Sequence, residues 1–203
     1  MKNIIVIGSP EAQYHPLSNI TELGSSLCGY TLLYTDNHDC LLSLDEYALL
    51  ICYMDLWERP LSDAQAAALK EYLLNGGRVL SVHNGISIQD TPSLAELTGA
   101  RFTDHPPMES LLIKPVSGHP VTDGLSEFTV FEEPYHFEDI SNVEILAAYD
   151  FNGVSIPAAW ERSYGKGILI YLMPGHDPDV FKSEQYRRLI QSCVVYLTSK
   201  DLS

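Results

Sequence analysis

Two histidines follow closely on apolar runs that have the composition of buried strands. His83 follows residues 78–82, and His176 comes shortly after residues 168–172. Ligands of open α/β sheets bind beyond the carboxyl ends of parallel strands, so both side chains are well placed for chemistry. An imidazole can transfer protons near neutral pH or bind a divalent metal ion. We predict that both histidines are catalytic; histidines satisfied by backbone carbonyls are the structural alternative.

An acidic segment, FEEPYHFED at residues 131–139, supplies the carboxylates for such a site. Alternation along an extended chain would put Glu133 and Tyr135 on one face. We predict Glu133 as the catalytic base or as a third metal ligand, and Tyr135 as a substrate-binding hydrogen-bond donor. The pattern gives no role to Glu132 or His136. A solvated acidic loop is the alternative interpretation.

Further polar and aromatic residues are predicted to bind substrate in the same cleft. Asp55 and Trp57 follow the third apolar run, Asn84 follows His83, and the first loop adds Tyr14 and His15. A tryptophan can stack on a sugar ring. HExxH and paired CxxC motifs are absent, so a divalent metal, if present, would be held by residues from distant segments, namely His83, Glu133 and His176.

The elements that would position these residues alternate between apolar strands and helices through residue 98. Continuous apolar runs predict strands buried on both faces of a parallel sheet. A capping box at Ser62 and Gln65 predicts the start of one helix, and Gly76 its end. The predicted strands are 3–7, 30–34, 47–53, 78–82 and 168–172, and the predicted helices begin near Pro16, Ser62, Thr91 and Tyr186.

The second half of the chain has a different pattern of predicted elements, with short strands separated by turns. Residues 110–114, 128–131, 143–149 and 156–161 have strand composition and no long helix between them. This indicates an antiparallel extension of the sheet or a small lid. No repeat or linker interrupts the chain, so we predict one domain over residues 1–203.

Composition restricts the partners. The 203 residues carry a formal net charge of -15, which repels nucleic acid and anionic lipid, so we predict neither as a partner. GxGxxG and GxxxxGK[ST] motifs are absent, which leaves a nucleotide cofactor without support. Cys28, Cys40, Cys52 and Cys193 lack CxxC spacing, which predicts buried, reduced thiols and a cytoplasmic protein. The sequence is compatible with a homo-oligomer.

Three blocks of sequence resemble the ThuA-like (trehalose utilisation) family, over roughly residues 45–197. The blocks are GGRVLSVHNG, GHPVTDGLSEFTVFEEPYHFE and PAAWERSYGKGILIYLMPGH. The residues that carry the resemblance are His119, Pro120, Gly124, Leu125, Phe128, Glu133, Tyr135, Trp160, Gly165, Lys166, Gly167, Gly175 and His176. The resemblance implies an α/β flavodoxin-like three-layer sandwich of the class I glutamine amidotransferase-like type, with a mainly parallel central sheet. It also implies a role in the metabolism of disaccharides and their keto derivatives.

Two functions are compatible with these observations. The first is an enzyme of carbohydrate metabolism that takes a small sugar or keto-sugar and uses histidine and glutamate for acid–base or metal chemistry. The second is a non-catalytic module that binds a sugar, or that oligomerises around a vestigial cleft. Glutamine amidotransfer is not expected, because the strand–turn–helix that holds the nucleophile in that superfamily carries His83 here.

Overall fold

A mixed sheet forms the middle of the molecule. The computed structural model describes residues 1–10 and 12–199. Its strands are β1 (Lys2–Ile7), β2 (Tyr30–Thr35), β3 (Leu49–Cys52), β4 (Arg78–Val82), β5 (Arg101–Asp104), β6 (Glu109–Pro115), β7 (Phe128–Glu132), β8 (His136–Glu138), β9 (Glu144–Phe151), β10 (Val154–Tyr164) and β11 (Gly167–Leu172). Within the described residues, nine of these strands form one sheet in the order β2-β1-β3-β4-β11-β10-β9-β6-β7.

The first five strands of this order are parallel, as the apolar runs predict. Every residue of β3, β4 and β11 is buried, because helices or loops cover both faces of the sheet. The order 2-1-3-4 is that of flavodoxin-like sheets, whose right-handed crossovers place helices on both faces. The predicted α/β three-layer fold is confirmed, with β9, β10, β6 and β7 as its antiparallel extension.

Three α-helices pack against this sheet among the described residues: α1 (Leu23–Ser26), α2 (Asp63–Leu74) and α3 (Glu184–Ser199). Ser62 caps α2, since its hydroxyl accepts from the Gln65 N–H while the Gln65 side chain accepts from the Ser62 N–H. The amphipathic helix α3 contacts β3 and β4 with its apolar side. Both predicted helices are confirmed.

Two other predicted helices are wrong in extent. The region from Pro16 to Gly29 contains a 3-10 turn at Leu17–Ile20 and then α1, which is four residues long. Three of those four residues are Gly24, Ser25 and Ser26, which have low helix propensity, and this explains why α1 is so short. The helix predicted from Thr91 is reduced to a 3-10 turn at Pro92–Leu94. The sequence patterns also gave no indication of the 3-10 segment His38–Glu46.

A separate two-stranded sheet, β5 with β8, was not predicted. Its strand β8 lies within the acidic segment, directly after residues 133–135, so the pairing with β5 fixes the course of these residues. The four cysteines are free thiols. Cys52 and Cys193 are buried as predicted, but Cys28 is exposed and Cys40 is half-buried, so burial was wrongly predicted for these two.

No helix in the described part of the chain has the length and apolar character that crossing a membrane requires.

Candidate functional site

Four side chains converge beyond the carboxyl edge of the parallel strands. We call His15, His83, Glu133 and His176 the centre; one ligand atom from each lies within 4.8 Å of the others. Three of the four are the predicted catalytic residues, and the structure brings them together. They come from loops after β1, β4, β7 and β11, so this arrangement exists only in the folded chain.

The backbone at His83 takes a conformation that side chains rarely adopt. Its φ is +49°, in the left-handed region, at the point where β4 turns sharply into the 3-10 segment His83–Asp90. The ring Nδ1 donates to the Met173 carbonyl at 2.8 Å, and the Tyr171 hydroxyl donates to the His83 carbonyl at 3.0 Å. Because Nδ1 holds the proton, Nε2 of the neutral ring presents a lone pair to the centre.

Close packing on the other side of His83 requires glycine. A Cβ atom at Gly175 would lie 2.7 Å from the Cβ of His83, which is too close for any side chain. The turn from Pro174 to His176 can therefore approach the end of β4, and this brings His176 into the centre.

Glu132 fixes the positions of its neighbours through backbone hydrogen bonds. Its side chain is fully buried. Oε1 accepts from the Glu133 N–H at 2.9 Å, and Oε2 accepts from the N–H groups of Gly175 at 2.5 Å and His176 at 3.0 Å. A buried carboxylate with three donors is well stabilised, and it ties the acidic segment to the loop after β11. The sequence pattern assigned it no role.

Glu133 and His176 form an ion pair inside the centre. Glu133 Oε2 lies 3.2 Å from His176 Nδ1 and 3.6 Å from His83 Nε2. Burial opposes the charge on Glu133, but the hydrogen bond from His176 and the charge interactions with the neighbouring histidines outweigh it and lower the carboxyl pKa below its usual range. The same hydrogen bond to Glu133 raises the pKa of His176, against a smaller opposing effect of burial.

His15 was expected in the cleft, but it was not among the predicted catalytic or metal-binding residues. Its Nδ1 lies 2.9 Å from Asp55 Oδ2, and its Nε2 lies 3.1 Å from His176 Nδ1. Burial lowers the pKa of His15, and the hydrogen bond to Asp55 only partly offsets that effect. Its position after β1 was a usable signal, because β1 is a parallel strand between β2 and β3 and ends at the same edge.

Tyr135 lies over His83, with its hydroxyl 2.9 Å from His83 Nε2. Because that nitrogen holds the lone pair, the phenol is the donor. Burial raises the pKa of Tyr135 well above that of a free tyrosine, so the phenol is protonated at neutral pH. The Tyr149 hydroxyl donates to the Tyr135 carbonyl at 2.7 Å and holds the segment in place.

A cavity of about 560 Å³ opens above the centre. This volume falls within the range of about 300–1,000 Å³ that small-molecule sites occupy. Four residues predicted to bind substrate line it, and so do several that were not, among them Phe102 and His105. The four predicted residues are Tyr14, Asp55, Trp57 and Tyr135.

The structure places two other residues away from this cavity. Asn84, predicted to bind substrate, is fully buried outside the cavity lining, where its amide donates to the Tyr53 carbonyl at 3.1 Å. That assignment is corrected: the chain turns at His83 and directs Asn84 into the core. His136 pairs with Asp104 at 2.6 Å on the surface and does not reach the centre.

A sequence comparison identifies the family. The ThuA family, described as trehalose utilisation, matches residues 20–197, and the chain belongs to this family. No curated protein sequence matches the chain significantly.

Solved structures with the same fold include two ThuA-like proteins. The one from Bacteroides uniformis ATCC 8492 is 22% identical, with a TM-score of 0.81 over 98% of this chain and 92% of its own. The one from Parabacteroides merdae ATCC 43184 is 15% identical, with a TM-score of 0.80 over 98% and 90%. The β-galactosidase from Rahnella sp. R3 is 16% identical, with a TM-score of 0.67 over 97% of this chain but only 31% of its own.

Proposed function

We propose that this protein is an enzyme of carbohydrate metabolism that binds a sugar or keto-sugar derivative in the cavity and transforms it at the centre. The observation that carries the proposal is the convergence of His15, His83, Glu133 and His176 beneath a cavity with aromatic walls. Families with unrelated activities share folds, so the proposal depends on this site and not on the sheet.

The cavity has the two surfaces that a sugar ring requires. Sugar rings have apolar C–H faces and polar edges, and aromatic side chains pack against the faces. Trp57 and Phe102 lie together, with ring centroids 5.4 Å apart, and Tyr14 is exposed beside them. Asp55 and Glu133 line the same cavity, and their carboxylates can accept hydrogen bonds from hydroxyl groups.

Tyr135 supports a chemical step as well as binding. Its protonated phenol lies beside His83 and can donate a hydrogen bond to the oxygen of a sugar hydroxyl or carbonyl that reaches the centre. A buried donor aimed at a developing oxyanion stabilises a transition state more than it does in water. The phenol is therefore assigned to the reacting oxygen, and the aromatic wall to the rest of the ring.

Glutaminase chemistry has no place in this proposal. His83 occupies the nucleophile turn, and the buried Cys52 thiol lies behind it near the Gly85 carbonyl. Burial raises the pKa of Cys52 to about 11, so the thiol is protonated at neutral pH and is a poor nucleophile.

The test is a panel of disaccharides and their keto derivatives, with trehalose included, measured for binding by calorimetry and for turnover by product analysis. We expect at least one member to bind and to be converted. Trp57→Ala should weaken binding by about tenfold through loss of ring packing. Phe131→Ala, which removes an exposed aromatic residue of the edge strand β7, is the matched control and should not change binding.

Binding without conversion would instead support the non-catalytic sugar-binding module. Failure of every sugar to bind would contradict both forms of the proposal. We propose further that the protein acts in the cytoplasm on a small molecule, with no nucleic-acid or membrane partner. A homo-oligomer is compatible with this function.

A further inference from the structure

We propose that the centre binds one divalent first-row transition-metal ion through His15 Nε2, His83 Nε2, His176 Nδ1 and Glu133 Oε2. The ion would occupy the same centre as the proposed function, and its binding requires no sugar. It adds His15 to the three residues that the sequence suggested as ligands. It also makes Asp55 a residue that positions a ligand.

The spacing of the four atoms fits a single ion. Ligand atoms about 2.1 Å from one tetrahedral ion lie roughly 3.4 Å from one another. Three of the six separations lie near that value: His15 Nε2 to His176 Nδ1 is 3.1 Å, His176 Nδ1 to Glu133 Oε2 is 3.2 Å, and His83 Nε2 to Glu133 Oε2 is 3.6 Å. One ligand atom from each of the four residues lies within 4.8 Å of the others. An ion between these atoms requires only small movements of the side chains.

Hydrogen bonds on the far side of two rings orient their lone pairs inward. His15 Nδ1 faces the Asp55 carboxylate, and His83 Nδ1 faces the Met173 carbonyl. Each partner is an acceptor, so each Nδ1 carries the proton and each Nε2 directs its lone pair into the centre. In the metal-free protein the Tyr135 hydroxyl donates to His83 Nε2, and an ion would take the place of that hydrogen bond. This pairing of a ligating histidine with a carboxylate or backbone carbonyl is the usual arrangement around protein-bound metals.

Without an ion, the four atoms share too few protons. His176 Nδ1 is within hydrogen-bond distance of two acceptors, His15 Nε2 and Glu133 Oε2. One proton on His176 must therefore serve both. A divalent ion in the same position satisfies all four acceptors and balances the Glu133 charge, while His176 loses that proton. Asp55 and the buried Glu132 add negative charge near the site.

The donor set selects the class of ion. Three imidazoles and one carboxylate suit Zn²⁺, Mn²⁺, Fe²⁺, Co²⁺ or Ni²⁺, whereas Ca²⁺ and Mg²⁺ prefer oxygen ligands. The site is also accessible, because the side chain of His176 is 22% exposed and that of Glu133 is 10% exposed toward the cavity. A sugar oxygen can therefore reach the ion beside the Tyr135 hydroxyl.

The experiment measures metal binding in the absence of any sugar. The protein is freed of metal with a chelator, and then Zn²⁺ and Mn²⁺ are titrated by calorimetry, with metal content measured after dialysis. We expect about one ion per chain for at least one of the two metals. His15→Asn should weaken the binding by about 100-fold or more, since it removes a ligand that the proposal requires.

His136→Asn is the matched control, because it removes a surface histidine that is paired with a carboxylate outside the centre. Its affinity should equal that of the wild type, and thermal melting of the metal-free variants tells loss of fold from loss of a ligand. If neither metal binds, or if His15→Asn folds and binds as tightly as the wild type, the proposal is overturned. If the protein binds a metal but none of the sugars of the panel, only the proposed function is contradicted. If it binds a sugar but neither metal, only this inference is contradicted.

Discussion

Two regions of this molecule bury histidine beside carboxylate, and only one of them has the geometry of a reactive site. In the second region His119 Nε2 lies 3.5 Å from Glu161 Oε2, and both residues are buried. The ring of His119 packs against Tyr196, with centroids 4.9 Å apart. Residue types and burial therefore do not distinguish this cluster from the centre.

The hydrogen bond on the other ring nitrogen makes the difference. His119 Nδ1 accepts from the Val121 N–H at 3.1 Å, so the proton of the neutral ring is on Nε2, where it faces Glu161. In His83 the partner is a carbonyl, so the proton is on Nδ1 and the lone pair faces the centre. One backbone contact thus makes His119 a structural donor and His83 an available base or ligand.

The largest difference between the two regions should come from removing each carboxylate charge. Glu133→Gln should weaken metal binding by about 100-fold or more and abolish turnover, because it removes a ligand and the charge that balances the ion. Glu161→Gln should leave both unchanged. Calorimetry on the two variants checks this, and equal losses would mean that the centre has no special role.

Tyr135→Phe should separate chemistry from binding at the centre. Loss of the phenol should reduce turnover of the converted sugar by about 100-fold, as expected for a positioned hydrogen-bond donor. Metal affinity should stay close to that of the wild type, since the hydroxyl is not among the four proposed ligands. Steady-state kinetics beside metal titration gives both values. A fall in metal affinity of similar size would contradict this division of roles.

Asp55→Ala should have an intermediate effect on metal affinity. The variant leaves all four proposed ligands in place but removes the acceptor that holds the His15 proton on Nδ1. Loss of such a partner costs about 10–100-fold in metal affinity. Asp104→Ala, which removes the surface partner of His136, is the control and should have no effect. An Asp55→Ala variant with unchanged affinity would show that His15 needs no orienting partner.

His119→Ala should give the smallest effect on function and a measurable effect on stability. The change removes the buried imidazole that faces the Glu161 carboxylate and packs on Tyr196, which should lower the free energy of unfolding by about 1–3 kcal/mol. Metal stoichiometry should be unchanged. Denaturant unfolding of the metal-free protein and metal analysis of the same sample provide the two measurements. If His119→Ala loses the bound metal without losing stability, then the His119–Glu161 region, and not only the centre, takes part in metal binding.

The parallel half of the fold was predictable because its strands are nearly continuous apolar runs, and β3 shows this most clearly. Strand ends also indicated His83 and His176, since topology alone places them at one edge. Two helices were wrongly extended because an apolar spacing that continues past Gly24 and its neighbouring serines resembles a longer helix. Short pairs such as β5 with β8 depend on tertiary contacts and leave little trace in sequence.

The rest of the site depended on three-dimensional detail that spacing does not carry. His15 sits in a polar loop with no motif, and its role follows only from contacts with Asp55 and His176. Glu132 and Glu133 are adjacent, yet one accepts backbone hydrogen bonds and the other faces the cavity. Asn84 shows the opposite error, because the left-handed turn at His83 directs it into the core.

The proposed metal site is tested most directly by anomalous diffraction from crystals of the protein grown with Zn²⁺ or Mn²⁺. Data are collected above and below the metal absorption edge. We expect one strong anomalous peak about 2.0–2.2 Å from each of four atoms: His15 Nε2, His83 Nε2, His176 Nδ1 and Glu133 Oε2. A peak confined to surface pairs such as His136 with Asp104, or no peak between these four atoms, would contradict it.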